Sequence, residues 1–366
     1  MSPPVVVAKV GTSSVTDQRG SIDPIAVDKL ARDIAELRAT GTRVVVVTSG
    51  AIAAGLPCLG LEARRPSDIA VLQAVSAVGQ GHLIGEWYRA LDAVGLIGGQ
   101  VLLAPHDFVD RAQYLHARQT LGLLLDLGVV PVVNENDAIA DDEIRFGDND
   151  RLAALVAHLV AAELLVLLTD APGLLTADPR VDIEASLVEE IAEIDHQIEA
   201  LAGGPGTDRG SGGMASKLAA AKIAAWSGVR AVIADAGRPG VLADAAAGRP
   251  GVGTVVSPRA RRLPARKLWI AFAVTAAGTV VVDEGARSAL TERGVSLLPA
   301  GVVAVEGAFG ADDAVSLAGV DGRVFAKGLV RYGADRLREL AGRRTSSLPD
   351  DVPHEAVHRD DLVLLP

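Results

Sequence analysis

A chain of 366 residues, 49% hydrophobic and 22% charged, is long enough for two domains and able to bury a large core. Its formal net charge of −11 opposes non-specific nucleic-acid binding, which needs basic surface. A single cysteine, Cys58, excludes an intrachain disulfide and fits a reducing compartment. The opening MSPPVVVAKVGTSS has no charged region followed by an apolar stretch, and no window reads as a membrane span, so a cytoplasmic protein is expected.

The first predicted element is the strand VVVAKV (5–10). Lys9 sits at its carboxyl end, with Gly11 and three hydroxyl residues behind it. Ligands of open α/β sheets bind at the carboxyl ends of strands, and a lysine beside exposed backbone amides there suits a phosphate. The plainer alternative is a strand-end lysine in water. Cations in this chain are overwhelmingly arginine, 29 against 6 lysines, so lysine is not its default way of carrying charge.

A helix over 24–39 leads to the strand RVVVVTS (43–49). Ser49 and Gly50 lie at its switch into a helix, where N–H groups and a hydroxyl can bind an anion; a simple serine N-cap is the competing reading. A helix over 68–94, a strand over 98–103, a helix over 111–126 and the strand GVVPVV (128–133) follow. The next stretch, NENDAIADDEIRFGDND (134–150), has seven acidic residues and three asparagines among its seventeen. So many carboxylates and carboxamides past an apolar strand fit a divalent metal site, an acid–base pair or a pocket for an ammonium group.

After a helix over 149–161, the strand ELLVLLT (163–169) closes on Thr169-Asp170. These polar groups suit a ribose or base, or simply form an Asp-capped turn. A helix over 192–202 precedes GGPGTDRGSGGMASK. Six of residues 203–213 are glycine, and Lys217 stands at the opening of a helix over 214–227. Glycines let backbone amides approach phosphates, and the helix dipole with Lys217 adds positive potential. The alternative is a surface loop followed by a helix lysine. Strands over 229–235 and 253–257 complete the run. Continuous apolar strands separated by helices predict a three-layer αβα sandwich with a mostly parallel sheet over 1–257.

Residues 258–267 carry five basic residues among two prolines and read as a solvated basic linker. From 268 to 366, short strands spaced by Gly and Asp turns predict a small β-rich domain. HEAVH (354–358) matches a zinc-helix pattern, but Pro353 before it and RDDLVLLP behind it leave no room for a stable zinc helix.

KVGTSSVT, VVVVTSGAIAAG, QAVSAVGQGHLI, VPVVNENDA, FGDNDRLAALVA, LLTDAPGLLTADPR and SGGMASKLAAAKIA, in this order, resemble the amino-acid kinase family and within it the glutamate 5-kinases. The C-terminal part, with AVHRDDLV, looks like a PUA domain. The resemblance implies phosphorylation of the γ-carboxylate of L-glutamate by ATP with Mg²⁺, the first step towards proline. It implies that Lys9 and Lys217 neutralise the transferring phosphoryl group and that Asp150 holds both lysines. Ser49, Gly50, Asn134, Asp137 and Asn149 would bind glutamate, with Asp137 the leading acceptor for its ammonium group. Lys9, Thr169, Asp170, Ser211, Gly212, Gly213, Met214 and Lys217 would bind ATP. Asp141, Asp142 and Glu143 read as a solvated hairpin, and no direct protein–metal site is expected, because Mg²⁺ leans on phosphates and water. Family members form dimers or tetramers and are inhibited by proline. The competing readings are an aspartate, acetylglutamate or carbamate kinase, and a non-catalytic RNA-binding regulator. Against the last, 268–366 holds 10 basic and 14 acidic residues, a balance of −4 that argues against a strong RNA grip.

Overall fold

The computed structural model describes residues 3–17, 19–61, 66–108, 110–139, 149–179, 182–202, 213–260, 262–272, 274–344 and 353–365. The chain divides into two compact units, Met1–Arg262 and Leu263–Pro366.

The first unit begins β1 (Val5–Val10), α1 (Pro24–Ala39), β2 (Arg43–Thr48), α2 (Ala51–Cys58), α3 (Ile69–Asp92), β3 (Gly98–Leu103), α4 (Arg111–Asp126) and β4 (Val130–Glu135). It continues α5 (Asn149–Leu159), β5 (Leu164–Thr169), β6 (Glu190–Ile191), α6 (His196–Leu201), α7 (Met214–Trp226), β7 (Arg230–Asp235), α8 (Val241–Ala246) and β8 (Gly253–Val256). Helix starts follow local chemistry: Asp23 accepts from the Ile25 amide ahead of Pro24, and Asp68 accepts from the Val71 amide.

Eight strands form one sheet in the order β3-β4-β2-β1-β5-β7-β8-β6, parallel except where β7 meets β8. Strand β1 lies at its centre. One face of β1, Val6, Ala8 and Val10, is buried with α1, α3 and α8. The opposite face carries Lys9, and α5 and α7 pack together on that side. Buried on both faces, the central strands read as unbroken apolar runs, which is why the sequence located them. This is the expected three-layer αβα arrangement. Among the described residues no helix is long and apolar enough to cross a membrane.

The second unit comprises α9 (Ala265–Phe272), β9 (Gly278–Val282), α10 (Glu284–Arg293), β10 (Val302–Gly307), β11 (Ala314–Gly319), β12 (Val324–Val330), α11 (Ala334–Leu340) and β13 (Val357–Leu364). Its five strands run β10-β9-β11-β12-β13 around a separate core that includes Val280, Leu317, Val330 and Leu337. One detail differs from the sequence expectation. The basic stretch expected as linker to residue 267 is already helical from Ala265, because Arg266 pairs with the buried Asp361 of β13 at 2.5 Å and Lys267 donates to the Arg359 carbonyl at 3.0 Å. His358 of HEAVH stands on strand β13, and residues 353–356 lie outside any helix, so the zinc-helix pattern has no helix beneath it.

Candidate active site

Strand register brings the candidate residues to one edge. Lys9 pairs with Val47 on one side and Leu167 on the other, and the Ser49 amide donates to the Val10 carbonyl at 3.1 Å. Val47 pairs with Val133, so Thr48 and Asn134 lie level, and Thr169 closes β5 one step beyond Leu168. The carboxyl ends of β2, β1, β4 and β5 therefore form one rim. Central β1 separates a β2–β4 side, with Ser49, Asn134 and Asp137, from a β5–β7 side, with Thr169 and Asp170.

At the centre, Asp150 in the first turn of α5 lies 2.7 Å from the Lys9 ammonium and 3.5 Å from that of Lys217 in α7. All three are buried, at 1%, 4% and 5% exposure respectively. Ser216 donates to the second Asp150 oxygen at 2.5 Å. Burial alone would raise the Asp150 carboxyl. The two ammonium groups and Ser216 outweigh it, and the carboxyl lies below its ordinary range. Burial lowers the Lys217 ammonium below the usual lysine range, and the like charge of Lys9 adds to this while Asp150 opposes it. The three groups themselves, two cations and one anion, sum to +1, with the exposed Asp170 a further anion acting on Lys217. Buried charge is costly unless matched, so the cluster is built to receive more negative charge.

On the β4 side, Asn149 at the start of α5 accepts from the Glu135 amide at 3.2 Å, which ties the end of β4 to the helix that carries Asp150. Asn134 is 1% exposed and donates through Nδ2 to the Gln80 Oε1 of α3 at 2.7 Å, while its own Oδ1 is buried without a hydrogen-bond partner among the described residues. Asp137 opens a short helical turn, Asp137–Ile139, and burial pushes its carboxyl up to about 6. Ser49 is buried next to Gly50, and here the structure decides the cap: Gly50 is the N-cap of α2, with φ of 113°. Only glycine adopts that conformation without strain, so Ser49 is not an N-cap serine. The Thr48 hydroxyl donates to the Ser49 carbonyl at 3.2 Å and accepts from the buried Trp87 Nε1 at 3.0 Å, which fixes the strand end.

On the β5 side, Thr169 is buried and donates to the exposed Asp170 at 3.2 Å. The loop beyond is pinned: the Thr254 hydroxyl of β8 accepts from the Leu174 amide at 2.8 Å. A Cβ on Gly173 would lie 2.6 Å from that hydroxyl. Helix α7 starts at Met214 behind Gly213, which offers no side chain to cap its first amides. Of the other nucleotide candidates, Ser211 and Gly212 lie outside the described residues, as do Asp141, Asp142 and Glu143.

The structure thus brings Lys9, Asp150 and Lys217 into contact, and lines Ser49, Gly50, Asn134, Asp137, Asn149, Thr169 and Asp170 along the same rim. Sequence reasoning did not single out Gln80, Ser216 or Thr254 individually. Each acts through a neighbour, and no local spacing signals such a contact. Mg²⁺ finds no cage here: among the described residues no group of three His, Cys, Asp or Glu side chains gathers to hold a metal. Asp150, the obvious carboxylate, is committed to lysines. Among the described residues, the ammonium groups around Asp150 suit phosphate oxygens, on which Mg²⁺ would be carried.

The Amino acid kinase family profile matches residues 4–235, and the PUA domain profile matches residues 278–350. The chain is 46% identical over 359 residues to "Glutamate 5-kinase" of Mycobacterium avium (strain 104), covering 98% of this chain and 96% of that one. It is 43% identical over 364 residues to "Glutamate 5-kinase" of Caldanaerobacter subterraneus subsp. tengcongensis, covering 98% and 97%. Among solved structures, a carbamate kinase from Giardia lamblia bound to AMP-PNP aligns with TM-score 0.51 and 18% identity, covering 71% of this chain and all, 100%, of the other. A UMP kinase from Bacillus anthracis aligns at 0.50 and 17%, covering 70% and 98%. These two likenesses speak for the fold alone.

Proposed function

We propose a division of labour for the site from one premise: the chain belongs to the amino acid kinase family, among its glutamate 5-kinases, and carries a PUA domain. It phosphorylates the γ-carboxylate of L-glutamate with ATP, accompanied by Mg²⁺, to give L-glutamyl 5-phosphate, the first step of proline biosynthesis. The reaction forms a bond between a γ-carboxylate oxygen and the γ-phosphorus and breaks the bond from that phosphorus to the β-phosphate oxygen, releasing ADP. The nucleophile is already an anion, so no base is needed. Positioning and charge neutralisation carry the catalysis.

The observation that carries the assignment is the buried Lys9–Asp150–Lys217 cluster with its surplus of +1. In our reading Lys9 and Lys217 neutralise the phosphoryl group in transit, and Asp150 keeps the two ammonium groups together before ATP arrives. Bound to the nucleotide, Mg²⁺ offsets charge on the phosphates. Asp137 and Asn134 accept from the glutamate ammonium group, while Ser49, Gly50 and Asn149 complete the acceptor pocket. Thr169, Asp170 and the segment from Ser211 through Gly212, Gly213 and Met214 to Lys217 hold ATP. Asp137 favours a free amino acid over an N-acetylated one, which brings no ammonium.

Three further expectations belong to this reading: the protein works in the cytoplasm, as a homodimer or homotetramer, and proline inhibits it. A hydroxylamine trap tests the whole. Incubated with ATP, Mg²⁺ and hydroxylamine, the enzyme should yield coloured hydroxamate from glutamate and none from aspartate, acetylglutamate or carbamate. Product from another acid alone would move the substrate assignment. No product from any of them would revive a non-catalytic role.

A further inference from the structure

The Asn134–Gln80 contact adds to the role given to Asn134 a neighbour, Gln80, that no role above uses. Asn134 lies at the end of β4 and is buried; its Nδ2 is engaged by the Gln80 oxygen at 2.7 Å, while its Oδ1 has no partner among the described residues. A carboxamide rotates to present either its oxygen or its nitrogen, because the torsion that turns it is broad and two-fold. In this arrangement the Gln80 oxygen takes the nitrogen and leaves Asn134 Oδ1 as the open acceptor. What remains is a buried acceptor, desolvated and unmatched, on the rim that carries Asp137. Leaving such an oxygen unpaired is costly, and the cost is recovered only when a donor arrives.

Gln80 is itself held with little freedom. Its neighbour Gly79 meets α2 backbone to backbone: a Cβ there would lie 1.8 Å from the Ala51 carbonyl oxygen and 2.4 Å from the Gly55 nitrogen. Gly55 faces α3 in the same way, with a Cβ falling 2.1 Å from the Val75 carbonyl oxygen. Helices α2 and α3 therefore pack backbone against backbone. That pair carries Gly50 at its α2 end and Gln80 on α3.

We propose that Gln80 is a positioning residue for the acceptor amino acid: by holding Asn134 Nδ2 it presents Asn134 Oδ1 as a second acceptor, beside Asp137, for the substrate's ammonium group. The inference rests on the functional reading above and names how that pocket distinguishes a free amino acid from the same dicarboxylate without its amine.

The test is a double-variant cycle read by the hydroxamate assay on the full-length enzyme. Gln80→Met keeps length and removes the acceptor. It should raise KM for glutamate about tenfold, the expected loss for one hydrogen bond to a charged group, with kcat and KM for ATP held within about twofold. Asn134→Ala should lower kcat/KM for glutamate at least as much. The double variant should match Asn134→Ala alone, because Gln80 acts through Asn134. Glutarate, used as a competitive inhibitor, should bind the Gln80→Met variant as well as it binds the parent enzyme. A fall in kcat with a rise in both KM values would make Gln80 merely structural and overturn the proposal. So would an unchanged glutamate KM, or a double variant weaker than Asn134→Ala by a further factor of ten. If the parent enzyme makes no hydroxamate from glutamate, it is the functional reading that fails, before any variant is compared.

Discussion

Asp137 and Asp150 come from one short acidic stretch and are pushed in opposite directions. Asp150 is held below the carboxylate range by Lys9 and Lys217, while burial lifts Asp137 to about 6. Environments that separate two like groups commonly separate their tasks. An ammonium ligand pairs only with ionised Asp137, so kcat/KM for glutamate should fall as pH drops through about 6, and Asp137→Asn should flatten that limb while raising KM. The stability consequence has the opposite sign. A carboxyl whose folded-state pKa is raised destabilises when ionised, fully so above pH 6 and no longer so once pH falls below the ordinary carboxyl range. At pH 8 the ligand-free Asp137→Asn variant should therefore be more stable by about 3 kcal/mol in urea denaturation, a figure set by the size of the shift. An unchanged or lowered midpoint would mean that the charge is compensated. Lys217→Ala should leave the fold intact and lower kcat about a thousandfold, the scale of losing a cation at a transferring phosphoryl group; near-normal turnover would remove Lys217 from that role.

Among elements, the strands were the most legible part of the sequence. β1 falls where its apolar run placed it, because buried parallel strands are continuous in hydrophobicity, and α1 spans the expected 24–39. Lys9, Asp150 and Lys217 were legible as candidates, yet their mutual contact is a product of β1, α5 and α7 meeting, and no local pattern encodes it. The cap of α2 stayed open in the sequence because a serine beside a glycine at a helix start suits either residue, and only the positive φ decides. Gln80 and Thr254 stayed hidden for a related reason: a half-buried glutamine on a helix looks like any surface residue, and a strand threonine like any β-former. Two substitutions test these joints. Gly79→Ala places a methyl into the α2 backbone and should cost about 3 kcal/mol, read by chemical denaturation; a neutral effect would mean that the helices separate freely. Thr254→Val keeps shape and removes the acceptor of the Leu174 amide. It should raise KM for ATP severalfold and leave KM for glutamate unchanged, since that loop leads away from Thr169-Asp170 on the β5 side.

At the scale of the whole molecule, each unit has its own apolar core. The second unit is a PUA domain by sequence, yet its residues 268–366 balance at −4, and the chain as a whole carries −11. Non-specific RNA binding draws on phosphate contacts by Lys and Arg, so filter binding at physiological salt should find no affinity tighter than about 10 µM. Tight binding that collapses with added salt would show that a basic face outweighs the average charge.

The three members of the charge cluster enter the chain far apart: Lys9 on the first strand, Asp150 on the fifth helix, and Lys217 another 67 residues on. During synthesis at about 5–20 residues per second, the first strand waits roughly ten seconds or more for its last partner to be made. Until β5 has been made the central strand has a neighbour on one edge only, and until α5 has been made its lysine lacks the Asp150 carboxylate. A fragment that stops before α7 lacks one ammonium of the cluster and the serine that steadies its aspartate. On the proposed assignment of Lys9 and Lys217, phosphoryl-transfer competence arrives only once α7 has joined the cluster.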